Sequence, residues 1–145
     1  MSASADYEAE RGRILLLSLG LTVLGLLLVA VTASAATVHL DHKRLHNLAD
    51  LLATAVLAEI SPFDDAPLPD VEVRLAVEAE LVTYPSTART LTNLQVFRAE
   101  QTDAFTVTLT LTATSHPPLL AWFTTPTDTG FPIEATATAT LKLTH

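Results

Sequence analysis

The chain has 145 residues, of which 49% are hydrophobic, carries a formal net charge of −8 and contains no cysteine. That length admits a membrane anchor plus at most one small domain. The acidic balance makes nucleic acid a poor partner, because a negative surface repels phosphate backbones; the absence of cysteine excludes disulfides, thiolate metal sites and a cysteine nucleophile.

Residues 1–13 form a short tail that carries Arg11 and Arg13 directly before a hydrophobic run. Residues Ile14 to Ala36 read ILLLSLGLTVLGLLLVAVTASAA, 23 positions without a charge. A bilayer core takes about 20 apolar residues as a helix, and glycines such as Gly20 and Gly25 are tolerated there. A transmembrane helix is therefore expected over 14–38. The competing reading is a cleaved secretory signal, with Arg11 and Arg13 as its basic region and Ala33-Ser34-Ala35 as an A-x-A site; signal cores of about 7–15 residues are shorter than this run. Basic residues at both ends, with Lys43 and Arg44 past the far one, nearly balance the positive-inside count. The short basic tail and the acidic C-terminal part favour a cytoplasmic N-terminus and an extracytoplasmic C-terminal domain.

Between Leu40 and Glu59 there is neither proline nor glycine. Leu45, Leu48, Ala49, Leu52 and Val56 recur at spacings of three and four, which places them on one helical stripe. The helix is expected to continue through 39–60, beyond the bilayer, until Ser61-Pro62 breaks it. The stripe has two possible destinations, the protein's own sheet or a partner helix.

Residues 61–70, SPFDDAPLPD, read as a turn-rich linker. The rest, 71–145, reads as a β domain. Val71, Val73, Leu75, Val77 and Ala79 alternate with mostly charged positions. Phe105, Val107, Leu109, Leu111 and Ala113 alternate with threonines, and so do Ile133, Ala135, Ala137, Ala139, Leu141 and Leu143 with threonine, Glu134 and Lys142. A period of two gives one apolar and one wet face, and threonine keeps strand propensity on the wet one. Leu91 to Ala99 is a further candidate strand. Pro117 to Phe123, an apolar segment between two strands, could cap the sheet edge or touch the membrane interface, where tryptophan is favoured. The expected fold class is α+β: a long N-terminal helix packed on a small antiparallel sheet.

Little here points to chemistry. His39, His42 and His46 share a helical face, a spacing that can bind zinc, but Lys43 and Arg44 beside them oppose a cation. Asp64, Asp65 and Asp70 lie without calcium-loop spacing and read as a solvated acidic segment. There is no nucleophile elbow, P-loop or dinucleotide turn. No enzymatic activity, cofactor, metal or small-molecule substrate is expected.

The layout resembles the TadE/TadG-like proteins of tight-adherence (Flp) pilus systems, which are minor pilins or pseudopilins. The resemblance begins at Glu10-Arg11-Gly12 and continues at Arg44-Leu45-His46-Asn47-Leu48-Ala49-Asp50-Leu51-Leu52-Ala53, similar to the family's basic residue, leucine and Ala-Asp before an alanine-rich helix. It closes with threonine-rich strands, Pro-Pro-Leu-Leu and Ala-Thr-Ala-Thr-Ala-Thr. It implies a pilin-like fold and a pilus-assembly role, with membrane lipid and other pilus or secretion-system membrane components as partners. Pilin-like proteins carry a glutamate five positions after the processed glycine. The fifth residue after Gly12 is Leu17, which fits a membrane-retained assembly component better than a major subunit. Interaction is expected at Leu45, Leu48, Leu52 and Val56, and at the motif-matching Arg44 and Asp50. The alternative function is a secreted or cell-envelope binding module whose N-terminal helix is only a signal.

Overall fold

The computed structural model describes residues 3–60, 67–84, 91–117 and 130–141, with side chains of the first helix from Glu10 onward. Helix α1, Ala3–Ile60, is continuous over 58 residues. At about 1.5 Å per residue it is roughly 87 Å long. Nothing in its interior forces a break: proline is absent, and its glycines, Gly12, Gly20 and Gly25, have open space around them.

Helix α2 spans Asp70–Thr83. Three antiparallel strands follow, β1 Thr92–Asp103, β2 Thr106–Ser115 and β3 Phe131–Thr140, in the sheet order β1-β2-β3. The architecture is α+β, a long helix packed on a small antiparallel sheet, with α2 joining α1 over the same face.

The stripe on α1 covers the sheet. Leu45, Leu48, Ala49, Leu52, Ala53, Val56 and Leu57 are buried with the inward residues Val107, Leu109, Leu111 and Ala113 of β2 and Ile133, Ala135 and Ala137 of β3. Each fully buried leucine or valine contributes about 1.5–3 kcal/mol over its exposed state. The opposite sheet face is a threonine ladder, in which Thr108 and Thr138 hydroxyls lie 3.3 Å apart and Thr110 and Thr136 3.0 Å apart. Cross-strand pairs of this kind lend a sheet tenths of a kcal/mol to about 1 each.

The segment 71–80 is a helix, not the strand its alternation suggested. Of its apolar positions only Val73 and Val77 are buried, four apart, while Val71 and Leu75 are exposed. In a strand all four would share one face. Helix formation follows from Glu, Ala, Leu and Arg at the remaining positions. Its start follows from Pro69, whose carbonyl accepts the backbone N–H of Glu72 at 2.9 Å and of Val73 at 3.2 Å, with Asp70 and Glu72 in the first turn complementing the helix dipole. Val73 and Val77 pack in the same core, so the sheet is covered by two helices and not by the α1 stripe alone.

The candidate strand at 91–99 is β1, and its pairing is irregular. Val96 pairs with Leu111, Arg98 with Thr110 and Ala99 with Leu109, so Phe97 and Arg98 together oppose one residue of β2. This bulge lets Val96 and Ala99, an odd number of positions apart, both face the core. A second irregularity lies between Thr92 and Gln95, where Asn93 takes φ 51, a conformation asparagine tolerates better than most residues. β2 and β3 pair without a shift from Thr106↔Thr140 to Ser115↔Phe131. Gly130 precedes β3 against the Thr114 methyl and the His116 ring, leaving no room for a Cβ.

Candidate functional site

Ile14 to Val31 place thirteen large aliphatic side chains on the surface of α1, each more than half exposed, and bury none of them in the protein. The helix is long and apolar enough to cross a membrane. From Glu10 onward, the first buried side chain of α1 is Ser34, whose hydroxyl donates back to the Ala30 carbonyl at 2.8 Å. The bare part of the helix therefore ends where the sheet begins.

The residues expected to mediate interaction divide into two groups. Leu45, Leu52 and Val56 are completely buried and Leu48 nearly so, all within the chain's own core. Of the two destinations open to this stripe, the structure places it on the protein's own sheet, where it presents no outward surface. Arg44 and Asp50 are exposed. Arg44 Nη1 reaches Asp41 Oδ1 at 3.4 Å and His46 Nε2 lies 3.8 Å from Asp50 Oδ2. Asp50 borders a shallow depression of about 580 Å³ together with Asn47, Leu51, Thr54 and Tyr84.

His39, His42 and His46 stand on exposed turns of α1. Among the described residues no group of three or more His, Asp or Glu side chains is arranged to hold a metal ion. Asp64 and Asp65 lie outside the described residues, as does most of Pro117 to Phe123; Asp70 opens α2.

Among the described residues, one side-chain hydrogen bond joins α1 to the sheet. The Ser115 hydroxyl donates to Asp41 Oδ2 at 2.6 Å, across 74 positions of sequence, and both residues are buried. It pins the end of β2 to α1 where the helix leaves its bare segment. Ser115→Ala takes the hydroxyl from a buried carboxyl group, leaving only the long Arg44 contact. The expected loss is about 1–3 kcal/mol. A double-mutant cycle with Asp41→Asn, read by thermal unfolding in detergent, should show losses that fail to add; simple additivity would mean the contact carries no coupling.

Two apolar surfaces were missed from sequence. The first is the outer face of α2, where Val71, Leu75, Ala79 and Val82 are all exposed. These positions recur at spacings of four and three, so α2 has a second apolar stripe facing away from the core. A helical reading of 70–83 would have revealed it. The second is a groove of about 520 Å³ between α1 and the start of β3, walled by Val31, Ala35, Val38, Phe131 and Ile133. Nothing local in the sequence announces it, because its walls are about 100 positions apart.

Comparison with protein-family models, curated proteins and solved structures finds no match.

Proposed function

We propose that this protein is a single-pass membrane component of a pilus or secretion assembly, similar to the TadE/TadG-like minor pilins, with its N-terminus in the cytoplasm and its sheet outside. The observation that carries this reading is the continuity of α1: one uninterrupted helix is bare and apolar in its first part and backs a small antiparallel sheet in its second. A domain built directly on its own anchor is held at a set height and orientation, which suits subunits that assemble laterally. Gly20 and Gly25 each have open space around them, but at a spacing of five they stand on different faces of the helix and do not form a GxxxG contact. The outer stripe of α2 offers the extramembrane contact, since an exposed apolar face rimmed by charge marks a binding surface.

The reading predicts that Leu75→Glu combined with Val82→Glu leaves folding within about 0.5 kcal/mol per site, because both side chains are exposed. The same variant should abolish surface filaments in the source cell while keeping the wild-type amount of protein in the membrane. Electron microscopy of cells lacking the protein decides the broader point. Filaments of normal number and length there would defeat the proposal. A phosphatase reporter fused after His145 tests the orientation, with activity expected outside. N-terminal sequencing of the mature chain separates the alternative of a cleaved signal: a chain beginning at Ala36 would keep the core and lose the span.

A further inference from the structure

We infer that the membrane-proximal end of the sheet is itself a lipid-binding surface, with Phe131 and the groove between α1 and β3 seated at the boundary between phospholipid headgroups and acyl chains. The inference rests on reading α1 as a membrane span, and adds that the β domain lies on the bilayer instead of standing clear of it.

The level of the groove follows from helix geometry. The uncharged run begins at Ile14, just after Arg13, and the first buried residue is Ser34. From Ile14 to Ser34 the helix rises about 30 Å. That equals the hydrocarbon thickness of a typical bilayer, about 30 Å, with headgroup layers adding roughly 5–8 Å on each side. Val31 then sits at the edge of the hydrocarbon, and Ala35 and Val38 lie within the headgroup layer. Phe131 and Ile133 share the groove with them, so the start of β3 is held at the same depth.

The chemistry of the groove suits that depth. Its lower walls are aliphatic and aromatic, and the one hydroxyl among them, on Ser34, is already bonded to the Ala30 carbonyl. No unsatisfied polar group there opposes an acyl chain. His39 lines the upper wall about 38 Å along the helix from Ile14, at the outer edge of the headgroup layer, and His42 and Lys43 follow about one turn farther out, all exposed. Phe131, 47% exposed, is an aromatic ring at this level with one side on protein. Tryptophan and tyrosine favour this level for their polar atoms; Phe131 lacks one, so its ring belongs on the acyl-chain side of the boundary.

The opposite end of the sheet provides a control. There the N–H of Leu141 bonds to the Phe105 carbonyl at 2.9 Å and the side chain is 40% exposed. Antiparallel pairing of β2 and β3 puts Leu141 about a strand length from Phe131, roughly 30 Å farther along the sheet.

The chain has one tryptophan, Trp122, so Trp122→Phe gives a silent background. In it, Phe131→Trp, Leu24→Trp and Leu141→Trp each place a single fluorophore in the full-length protein. All three sites are substantially exposed, so the ring fits without disturbing the core. The proteins are reconstituted into phosphatidylcholine vesicles carrying bromine high or deep on the acyl chain, and aqueous iodide is added in a separate arm. The probe at position 131 should be quenched most by high-set bromine, the probe at 24 by deep bromine, and the probe at 141 by iodide alone. Quenching at 24 without bromine quenching at 131 would overturn the lipid surface and leave the span standing. So would a probe at 131 shielded from both quenchers. Failure of bromine to quench at 24 would overturn the span and this inference together.

Discussion

Leu52→Asp is expected to strip the sheet from α1 while leaving the protein in the membrane. Leu52 is completely buried in the middle of the stripe that runs from Leu45 to Val56. Truncating such a leucine to alanine costs about 2–5 kcal/mol, from lost transfer energy and from the cavity left behind. Aspartate adds the desolvation of a carboxyl group with no partner, several kcal/mol more. Small domains are stable by only about 5–15 kcal/mol in all. The substitution therefore rivals or exceeds the whole stability of the extramembrane part. Ile14 to Val31 make no part of that core, so the span should insert as before.

Limited proteolysis of the full chain in vesicles, combined with circular dichroism, reads both outcomes: the strand signal and protease resistance should vanish while a protected fragment containing the span survives. Leu51, the next residue, is 44% exposed. Leu51→Asp should cost only about 1–2 kcal/mol, from a half-buried side chain and the poorer helix propensity of aspartate, well short of the Leu52→Asp loss. Equal resistance of the two variants would mean that the stripe is not what covers the sheet.

The second large effect concerns the span. Thirteen Ile, Leu and Val side chains between Ile14 and Val31 are exposed along α1. At about −0.3 to −0.6 kcal/mol each on the insertion scale, they favour the bilayer by on the order of 6 kcal/mol. Val23→Lys with Leu27→Lys puts two charges one turn apart near the centre of the run. Each costs roughly 2.5–3.5 kcal/mol there, so the pair cancels the entire preference. The double variant is expected to disappear from the carbonate-resistant membrane fraction. Neither side chain belongs to the core, so its loss from the membrane would not be a folding defect. Persistence at the wild-type level after carbonate extraction would show that this run is not what holds the protein to lipid.

Which parts of the fold were legible in sequence depended on how unambiguously a period maps to a structure. β2 and β3 were legible because their inward apolar residues alternate without a bulge, Val107 to Ala113 and Ile133 to Ala137, with Thr110 the one residue also buried on the other face. The run 71–80 was misread because alternation contains a spacing of four, which a strand and a helix both place on one face. Val73 and Val77 satisfy either period; Val71 and Leu75 satisfy the strand only if they too are buried. The distinguishing signal was composition, Glu, Ala, Leu and Arg where β2 and β3 carry threonine. In β1 the bulge at Phe97 and Arg98 shifts the inward phase by one residue, so Val96 and Ala99 fit no simple period.

Arg44 and Asp50 emerged on the surface, whereas the four apolar residues expected to meet partners were buried inside. The surfaces left for contact, the outer stripe of α2 and the groove at Phe131, came from elsewhere.

By itself the sequence determined a helix able to cross a bilayer and the apolar stripe on its continuation. Both depend only on the charge and spacing of neighbouring side chains along one backbone. The tertiary structure decided what that stripe covers, that α2 shares the task, and that Asp41 meets Ser115 at the level where the bare helix ends. These outcomes depend on the path of the chain between distant positions, and local periodicity carries no information about that path.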